Sequence, residues 1–171
     1  MGKKILIPAI VLMALVMLST PVIAEPTAGQ QVPTLLTITG TIGFAPPTKE
    51  WTTNGGVMQF RELYQPHSFM LTIGTKDFTG FTSGFEDGKV DFVKSTAIIR
   101  AYATYWIDGI DGGFAGIIHF KAYNFNLFAF TWDWEIVHLV AQGFGDFEGQ
   151  TIMLSYEGLP NGPRTGYCLK G

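Results

Sequence analysis

The chain has 171 residues, of which 11 are basic and 14 are acidic, so its net charge is −3, and 14 Phe, 6 Tyr and 4 Trp make it rich in aromatic side chains. This length suits a single domain, and the apolar content excludes a disordered chain. An acidic chain without a basic run is unsuited to binding nucleic acid. The single cysteine, Cys168, excludes an internal disulfide and a cysteine-rich metal site.

The first 24 residues are predicted to be a signal peptide. Lys3 and Lys4 are followed by the apolar segment Ile5–Leu18, and Ala24 ends a stretch that suits signal peptidase. The apolar segment is shorter than the roughly 20 residues that a transmembrane helix needs. We therefore expect cleavage after Ala24 and a mature prokaryotic protein that is secreted or held in the cell envelope and is not embedded in a membrane.

Residues 25–33 are rich in Pro, Gly and Gln and are expected to form a flexible leader. The single domain is expected to span residues 34–171. Its dominant pattern is an alternation of apolar residues with a period of two, which is typical of β-strands with one buried face. The apolar faces are, in chain order, Leu36, Ile38, Ile42 and Phe44; Phe69, Leu71 and Ile73; Ile99, Ala101, Ala103, Tyr105 and Ile107; Phe114, Ile118 and Phe120; and Ile152, Leu154 and Tyr156.

The clearest alternation runs from residue 128 to residue 140. Its even positions are Phe128, Phe130, Trp132, Trp134, Ile136, His138 and Val140. Because successive side chains of a strand point to opposite faces, these residues are predicted to face the protein interior. Asp133 and Glu135 are predicted to face solvent.

Gly-rich segments between the alternating stretches predict turns and about seven to nine strands. The predicted turns are Asn54-Gly55-Gly56, Glu86-Asp87-Gly88, Asp108-Gly109 with Asp111-Gly112-Gly113, and Asn161-Gly162-Pro163. A Phe-x-Gly motif recurs at Phe78, Phe114 and Phe147. Each copy is expected to begin a strand just after a turn, where the glycine leaves room beside the ring.

These features predict an all-β fold, a single antiparallel β-barrel of about eight strands, because closure hides the apolar face and removes the sheet edges. A two-sheet β-sandwich is the alternative architecture.

The segment Gly143-Phe144-Gly145-Asp146-Phe147-Glu148-Gly149 resembles the Gly-x-Gly-x-Phe-x-Gly segment of the allene oxide cyclase-like barrels, a superfamily that includes the plant dirigent proteins. The C-terminal segment Gly166–Gly171 is similar to the closing strand of those barrels. The resemblance implies an antiparallel barrel of about eight strands with an apolar cavity open at one end. Members cyclise an oxylipin or direct the coupling of phenolic radicals, and none of the plant enzymes' catalytic residues matches a position here.

The aromatic face has two interpretations. Phe128, Phe130, Trp132 and Trp134 could line a pocket for an apolar or aromatic molecule, or they could simply fill the barrel, since the interior of a small barrel just accommodates its side chains. In the first interpretation, the other ligand-binding residues are predicted to be Phe60, Tyr64 and His138.

Glu62 is the one candidate for a catalytic residue. It alternates with Phe60 and Tyr64, so an inward face would desolvate its carboxyl, raise its pKa and suit it to acid–base chemistry. In the alternative interpretation Glu62 lies at a strand end and reaches water. His67, His119 and His138 are scattered along the chain, so neither a metal site nor any other cofactor is predicted.

Three functions remain open. The favoured one is a non-catalytic protein that binds an apolar or aromatic small molecule in its barrel. The second is a cyclase-like or isomerase-like enzyme that confines a reactive conformer of an apolar substrate. The third is a structural extracellular or envelope protein with a filled barrel. An oligomer is compatible with each function, and nucleic acid is not an expected partner.

Overall fold

The structure, a computed structural model, describes residues 29–53, 55–126 and 131–171. The predicted signal peptide lies outside the described residues. The strands are β1 (Gln31–Thr41), β2 (Lys49–Thr52), β3 (Val57–Leu63), β4 (His67–Ile73), β5 (Lys76–Asp91), β6 (Thr96–Ile107), β7 (Gly112–Tyr123), β8 (Trp134–Gly145), β9 (Gln150–Gly158) and β10 (Arg164–Lys170). Because β1 begins at Gln31, it takes in the last three residues of the segment expected to be a leader.

Eight of these strands close into an antiparallel barrel, which confirms the predicted fold class. Around the ring the order is β1, β4, β5, β6, β7, β8, β9 and β10, and β10 pairs with β1. The ring therefore has no free edge, whereas β2 and β3 form an extension beyond it. We call the end with the β5–β6 turn the upper end and the end with the β6–β7 turn the lower end.

The extension is attached to β5, the longest strand. The first part of β5 pairs with β4 and its last part pairs with β3, while its other edge pairs with β6. β3 thus continues the line of β4, and β2 pairs with the outer edge of β3.

The turn predicted at Glu86-Asp87-Gly88 is wrong, because these residues lie within β5. The chain turns instead at residues 92–95, where Ser95 has a φ of 50°. Gly88 is needed for packing, since a Cβ at this position would lie 2.6 Å from the Cζ atom of Phe60. Gly55-Gly56, Asp108-Gly109 with Asp111, and Asn161-Gly162-Pro163 do lie between strands, with positive φ at Gly56, Gly109 and Asn161, whereas Gly112 and Gly113 begin β7 and Asn54 lies outside the described residues.

The lower part of the barrel is filled by apolar side chains, which we call the main core. Its buried members are Leu36, Phe69, Leu71, Tyr105, Ile107, Phe114, Leu139, Ala141, Phe147, Ile152, Leu154 and Cys168. The inward faces predicted for β4, β6, β7 and β9 are therefore confirmed. In β1 the prediction holds for Leu36 and Ile38, but the strand ends at Thr41, and Ile42 and Phe44 beyond it are exposed.

The faces predicted for β8 are wrong. Glu135, Val137 and Leu139 are buried, whereas Trp134 is 42% exposed on the outer face. β8 begins only at Trp134, so part of the aromatic alternation that set the predicted phase belongs to the preceding loop. Within β8, the side chains of the odd-numbered residues point into the barrel. Asp133 is exposed, as predicted.

The three Phe-x-Gly motifs meet at the lower end of the barrel. The ring of Phe147, in the β8–β9 turn, lies 5.5 Å from the ring of Phe78 and 4.9 Å from that of Phe114. Gly80 and Gly116 lie near the starts of β5 and β7, as predicted, whereas Gly149 lies in the turn with a φ of 78°. The repeated motif therefore closes one end of the barrel with three phenyl rings.

A second, smaller group of apolar side chains lies near the upper end. This upper cluster consists of Phe60, Leu63, Val90, Ala97 and Ala122. Residues of the β7–β8 loop pack against it, including Trp132.

We predict that Phe147→Ala lowers the free energy of unfolding by about 3 to 5 kcal/mol, because it removes a buried ring that contacts two others. The matched control Phe44→Ala removes an exposed ring and should change stability by no more than about 0.5 kcal/mol. Urea denaturation of both variants measures the difference. Equal losses for the two substitutions would show that the three rings do not close the barrel as described.

Candidate functional site

The predicted aromatic pocket wall is not formed by the residues that the structure describes. Trp134 and His138 lie on the outer face of β8. Trp132 is partly buried and packs edge-on against Phe120, with 5.5 Å between the ring centroids. The other two members, Phe128 and Phe130, lie outside the described residues.

The remaining predicted site residues also point in different directions. Phe60 is buried in the upper cluster. Tyr64 is partly buried, and its ring lies 5.8 Å from that of Phe85, which is exposed. The structure therefore brings Phe60 and Trp132 together in and against the upper cluster, whereas Tyr64 is not part of that cluster.

Glu62 is exposed, so the condition under which it would be a catalytic candidate, an inward face, is not met, and its side chain reaches water as in the alternative interpretation. Glu62 is exposed at a β-bulge of β3, with a φ of 56°. Its carboxylate accepts a hydrogen bond from the Thr48 hydroxyl. The bulge shifts the alternation of β3, so that Leu63 is buried in place of Glu62.

A different carboxyl, that of Glu86, faces the interior. Glu86 alternates along β5 with Thr82 and Val90, which are both buried. Its partners across the sheet are Ala101 on β6 and Leu63 on β3. Glu86 therefore lies where the main core meets the upper cluster.

The side chains of Arg164 and Tyr105 also point into the barrel. Arg164 alternates with the buried Cys168 along β10 and pairs with Leu36 of the main core. Tyr105 on β6 is only 2% exposed, and its ring packs edge-on against Phe69 at 5.4 Å. We call Glu86, Tyr105, Arg164 and the neighbouring His67 the polar layer.

His67 joins this layer from the start of β4. Its backbone N–H donates a 2.9 Å hydrogen bond to the Thr82 hydroxyl, and Thr82 is the cross-strand partner of Tyr105. The charge of Arg164 lowers the pKa of His67, after the larger effect of burial. The polar layer therefore draws on four strands: β4, β5, β6 and β10.

Small residues make room for these side chains. Gly84, Ala103, Gly116 and Ala141 form a cross-strand row over four neighbouring strands. On the inner face this row lies between Tyr105 and Glu86, so neither β5 nor β6 places a large side chain between them.

The charges in the polar layer perturb one another through a weakly solvated interior. Burial raises the pKa of Glu86 from 4.5 to about 7. Burial also raises the pKa of Tyr105, which Arg164 lowers and Glu86 raises to smaller extents. The pKa of His67 is lowered first by burial and then by Arg164. Below pH 7 both Glu86 and Tyr105 are therefore mainly protonated and can donate hydrogen bonds.

The polar layer has hydrogen-bonding capacity that the chain does not use. Nη1 of Arg164 is buried without a hydrogen-bond partner, and it is the only such side-chain atom among the described residues. Buried polar groups are nearly always paired in native proteins, so a buried guanidinium nitrogen without an acceptor, in a layer that also holds the Glu86 carboxyl and the Tyr105 hydroxyl, indicates a site.

Glu135, in contrast, has a structural role. It is fully buried, and its carboxylate accepts hydrogen bonds from Trp132 Nε1 at 2.8 Å and from the backbone N–H of Asn161 at 3.1 Å. Glu135 therefore joins the β7–β8 loop to the β9–β10 loop at the upper end, and both of its oxygens are occupied.

Two shallow depressions lie on the outer surface of the barrel, with volumes of about 280 and 220 Å³. Neither is lined by a residue of the polar layer. Among the residues that the structure describes, no three His, Cys, Asp or Glu side chains are grouped so that they could hold a metal ion. The described ranges also contain no helix with the length and apolar character needed to cross a membrane.

Comparison with known proteins finds no similarity, since no family model, no curated protein and no solved structure matches the chain.

We predict that stability decreases as pH rises from about 4.5 to about 7, because unfolded Glu86 releases its proton near the first value and folded Glu86 near the second. The difference amounts to about 3 kcal/mol. Glu86→Gln removes this dependence, so the stability of the variant relative to the natural chain should increase over the same range. The contribution of His67 is common to both proteins and cancels in the comparison.

Denaturant titrations at several pH values measure this difference. Glu62→Gln is the matched control, because it removes an exposed carboxyl from the neighbouring strand. Its stability should follow that of the natural chain at every pH. Parallel profiles for the natural chain and Glu86→Gln would show that the Glu86 carboxyl is solvated.

Proposed function

We propose that this protein binds a small molecule with an anionic group and an apolar body inside the barrel, at the polar layer. The observation that carries this proposal is the buried, unpartnered Nη1 of Arg164. A guanidinium without an acceptor is strongly disfavoured in an interior. A carboxylate, sulfonate or phosphate oxygen of a ligand would supply that acceptor.

The protonation of the neighbouring groups supports an anionic ligand. Because their pKa values are raised, Glu86 is about half protonated at pH 7 and mainly protonated below it, and Tyr105 stays protonated throughout this range. Arg164, Tyr105 and protonated Glu86 would then be available to donate hydrogen bonds to an anion bound in this layer. A bound anion would in turn stabilise the proton on Glu86, so that binding is coupled to proton uptake.

The surrounding apolar groups indicate where the body of the ligand would lie. The three phenyl rings around Phe147 close the lower end, so the ligand would enter from the upper end. Its apolar part would lie against the upper cluster, which begins at Leu63, the cross-strand partner of Glu86. This proposal keeps the apolar body of the predicted ligand, adds an anionic group to it, and moves its site from the aromatic face to the polar layer.

We expect decanoate to bind to the mature protein, with an affinity that decreases as pH rises above about 7, because ionised Glu86 repels the carboxylate. Arg164→Met should weaken binding at least tenfold, about the 1.4 kcal/mol or more that a charge-assisted hydrogen bond contributes. Glu86→Gln should bind decanoate with an affinity that does not change over this pH range. Isothermal titration calorimetry measures each affinity.

Lys76→Met, which removes an exposed cation at the lower end of the barrel, is the control and should bind decanoate like the natural chain. Native mass spectrometry of the protein as purified adds a second readout, because a co-purified acid would appear as added mass. If Arg164→Met binds decanoate as tightly as the natural chain, the site is not at the polar layer.

The raised pKa of Glu86 also favours a second candidate function, an enzyme with Glu86 as general base. A catalytic group works best when its pKa lies near the working pH, and that of Glu86 is about 7. Such an enzyme would resemble the predicted cyclase-like class in confining an apolar substrate. Membership of the allene oxide cyclase-like superfamily stays a prediction from the C-terminal motif.

The ring opening of 5-nitrobenzisoxazole tests this second function. The Glu86 carboxylate would take the C3 proton, the C–H electron pair would form the nitrile, and the N–O bond would break to release a coloured phenolate. We expect the rate to rise with pH with a midpoint of about 7 and to vanish in Glu86→Gln. A rate above background that is the same in both proteins would exclude Glu86 as the base.

A further inference from the structure

A groove of about 280 Å³ lies on the outer surface where β2, β3, β5 and β6 run side by side. The side chains that define its chemistry are Trp51, Arg61, Asp87, Lys89, Ile98 and Arg100. The groove is separated from the polar layer by the thickness of β5, because Asp87 follows Glu86 and points to the opposite face.

More basic than acidic side chains line this groove, although the chain as a whole has more acidic than basic residues. Three of the 11 basic residues line it, but only one of the 14 acidic residues does. That acid, Asp87, already accepts a 2.9 Å hydrogen bond from the backbone N–H of Glu62. Over the described ranges the one ion pair joins Lys94 to Asp91, so no described acid forms an ion pair with the cations of the groove, and Asp87 offsets only part of their charge.

The guanidinium groups of Arg61 and Arg100 each lie beside an aromatic ring. The Cζ atom of Arg61 lies 5.9 Å from the centroid of the Trp51 ring, and that of Arg100 lies 4.9 Å from the centroid of the Tyr102 ring. A cation over an aromatic face is attracted by the ring. Asp87, the cross-strand partner of Arg100, also bonds to the strand that carries Arg61. The two guanidinium groups thus approach the groove from either side of Asp87.

We infer that this groove binds a small organic anion, a flat ring that carries a phosphate, sulfate or carboxylate group. Its anionic group would lie between Arg61 and Arg100, since planar guanidinium groups bind such oxyanions with paired hydrogen bonds. Its ring would lie against Trp51, which is 40% exposed, and the exposed Ile98. Small-molecule sites occupy roughly 300 to 1,000 Å³, so this groove accommodates one ring system rather than a larger ligand.

Titration with 2-naphthyl phosphate at low salt tests this inference. Two further probes separate the contribution of the ring to the affinity from that of the charge. 2-Naphthol has the ring without the charge, and inorganic phosphate has the charge without the ring. We expect 2-naphthyl phosphate to bind at least tenfold more tightly than either one. Its affinity should fall as sodium chloride is added, because salt screens exposed charges. Equal affinity for inorganic phosphate would mean that Trp51 and Ile98 contribute nothing to the site.

Variants of the chain locate the site. The double variant Arg61→Gln with Arg100→Gln should lose at least tenfold in affinity for 2-naphthyl phosphate. The control, Lys76→Gln with Lys170→Gln, removes the same charge at the lower end of the barrel and should bind like the natural chain. Equal losses for the two double variants would show that net charge, and not the groove, attracts the probe.

The Arg164→Met background separates this inference from the proposed function. Arg61→Gln with Arg100→Gln should lower the affinity of Arg164→Met for 2-naphthyl phosphate as much as it lowers that of the natural chain, because Arg164 lies at the polar layer on β10 and outside the groove. If the two groove substitutions change nothing in the Arg164→Met background, the probe binds only in the barrel interior and the inference is overturned.

Discussion

The pairing of β5 with β6 closes the barrel, and both proposed sites depend on it. The two strands pair without interruption from Gly80 and Ile107 to Asp91 and Thr96. Closure forces successive side chains of each strand either into the interior or towards solvent. Glu86 and Asp87 therefore belong to different sites although they are neighbours in the chain. Because β5 also holds β3, the same strand positions the groove.

The polar layer is an unusual use of the interior of a small barrel, which side chains normally fill. The lower part follows the rule, with Phe78, Phe114 and Phe147 closing the end and the main core above them. At the next level the interior holds an acid whose pKa is raised by burial and an arginine with an unpartnered donor. Both features destabilise the fold. Residues that break local rules without a structural gain are expected at functional sites.

The errors of sequence interpretation have specific physical causes. The phase of β8 was taken from the aromatic run that ends at Trp134, but that residue is the first of the strand, and the interior selects Glu135 and Val137. Glu86 was assigned to a turn because it precedes Asp87-Gly88, yet Gly88 is there to accommodate the ring of Phe60. The alternation of Thr82, Glu86 and Val90 was a signal that could have placed Glu86 inside.

By itself the sequence determined the class of structure, since an apolar period of two and glycine-rich turns favour antiparallel strands whose apolar face must be hidden. It also marked the residues that close the lower end, because the Phe-x-Gly motif recurs at equivalent turns. Only the tertiary structure decided which polar groups meet. Glu86, Tyr105, Arg164 and His67 come from four strands, and their shared level depends on the register and closure of the ring. Local patterns indicate which face of a strand is buried, but they do not show which residues of distant strands lie opposite one another, so neither the polar layer nor the groove could be derived from them.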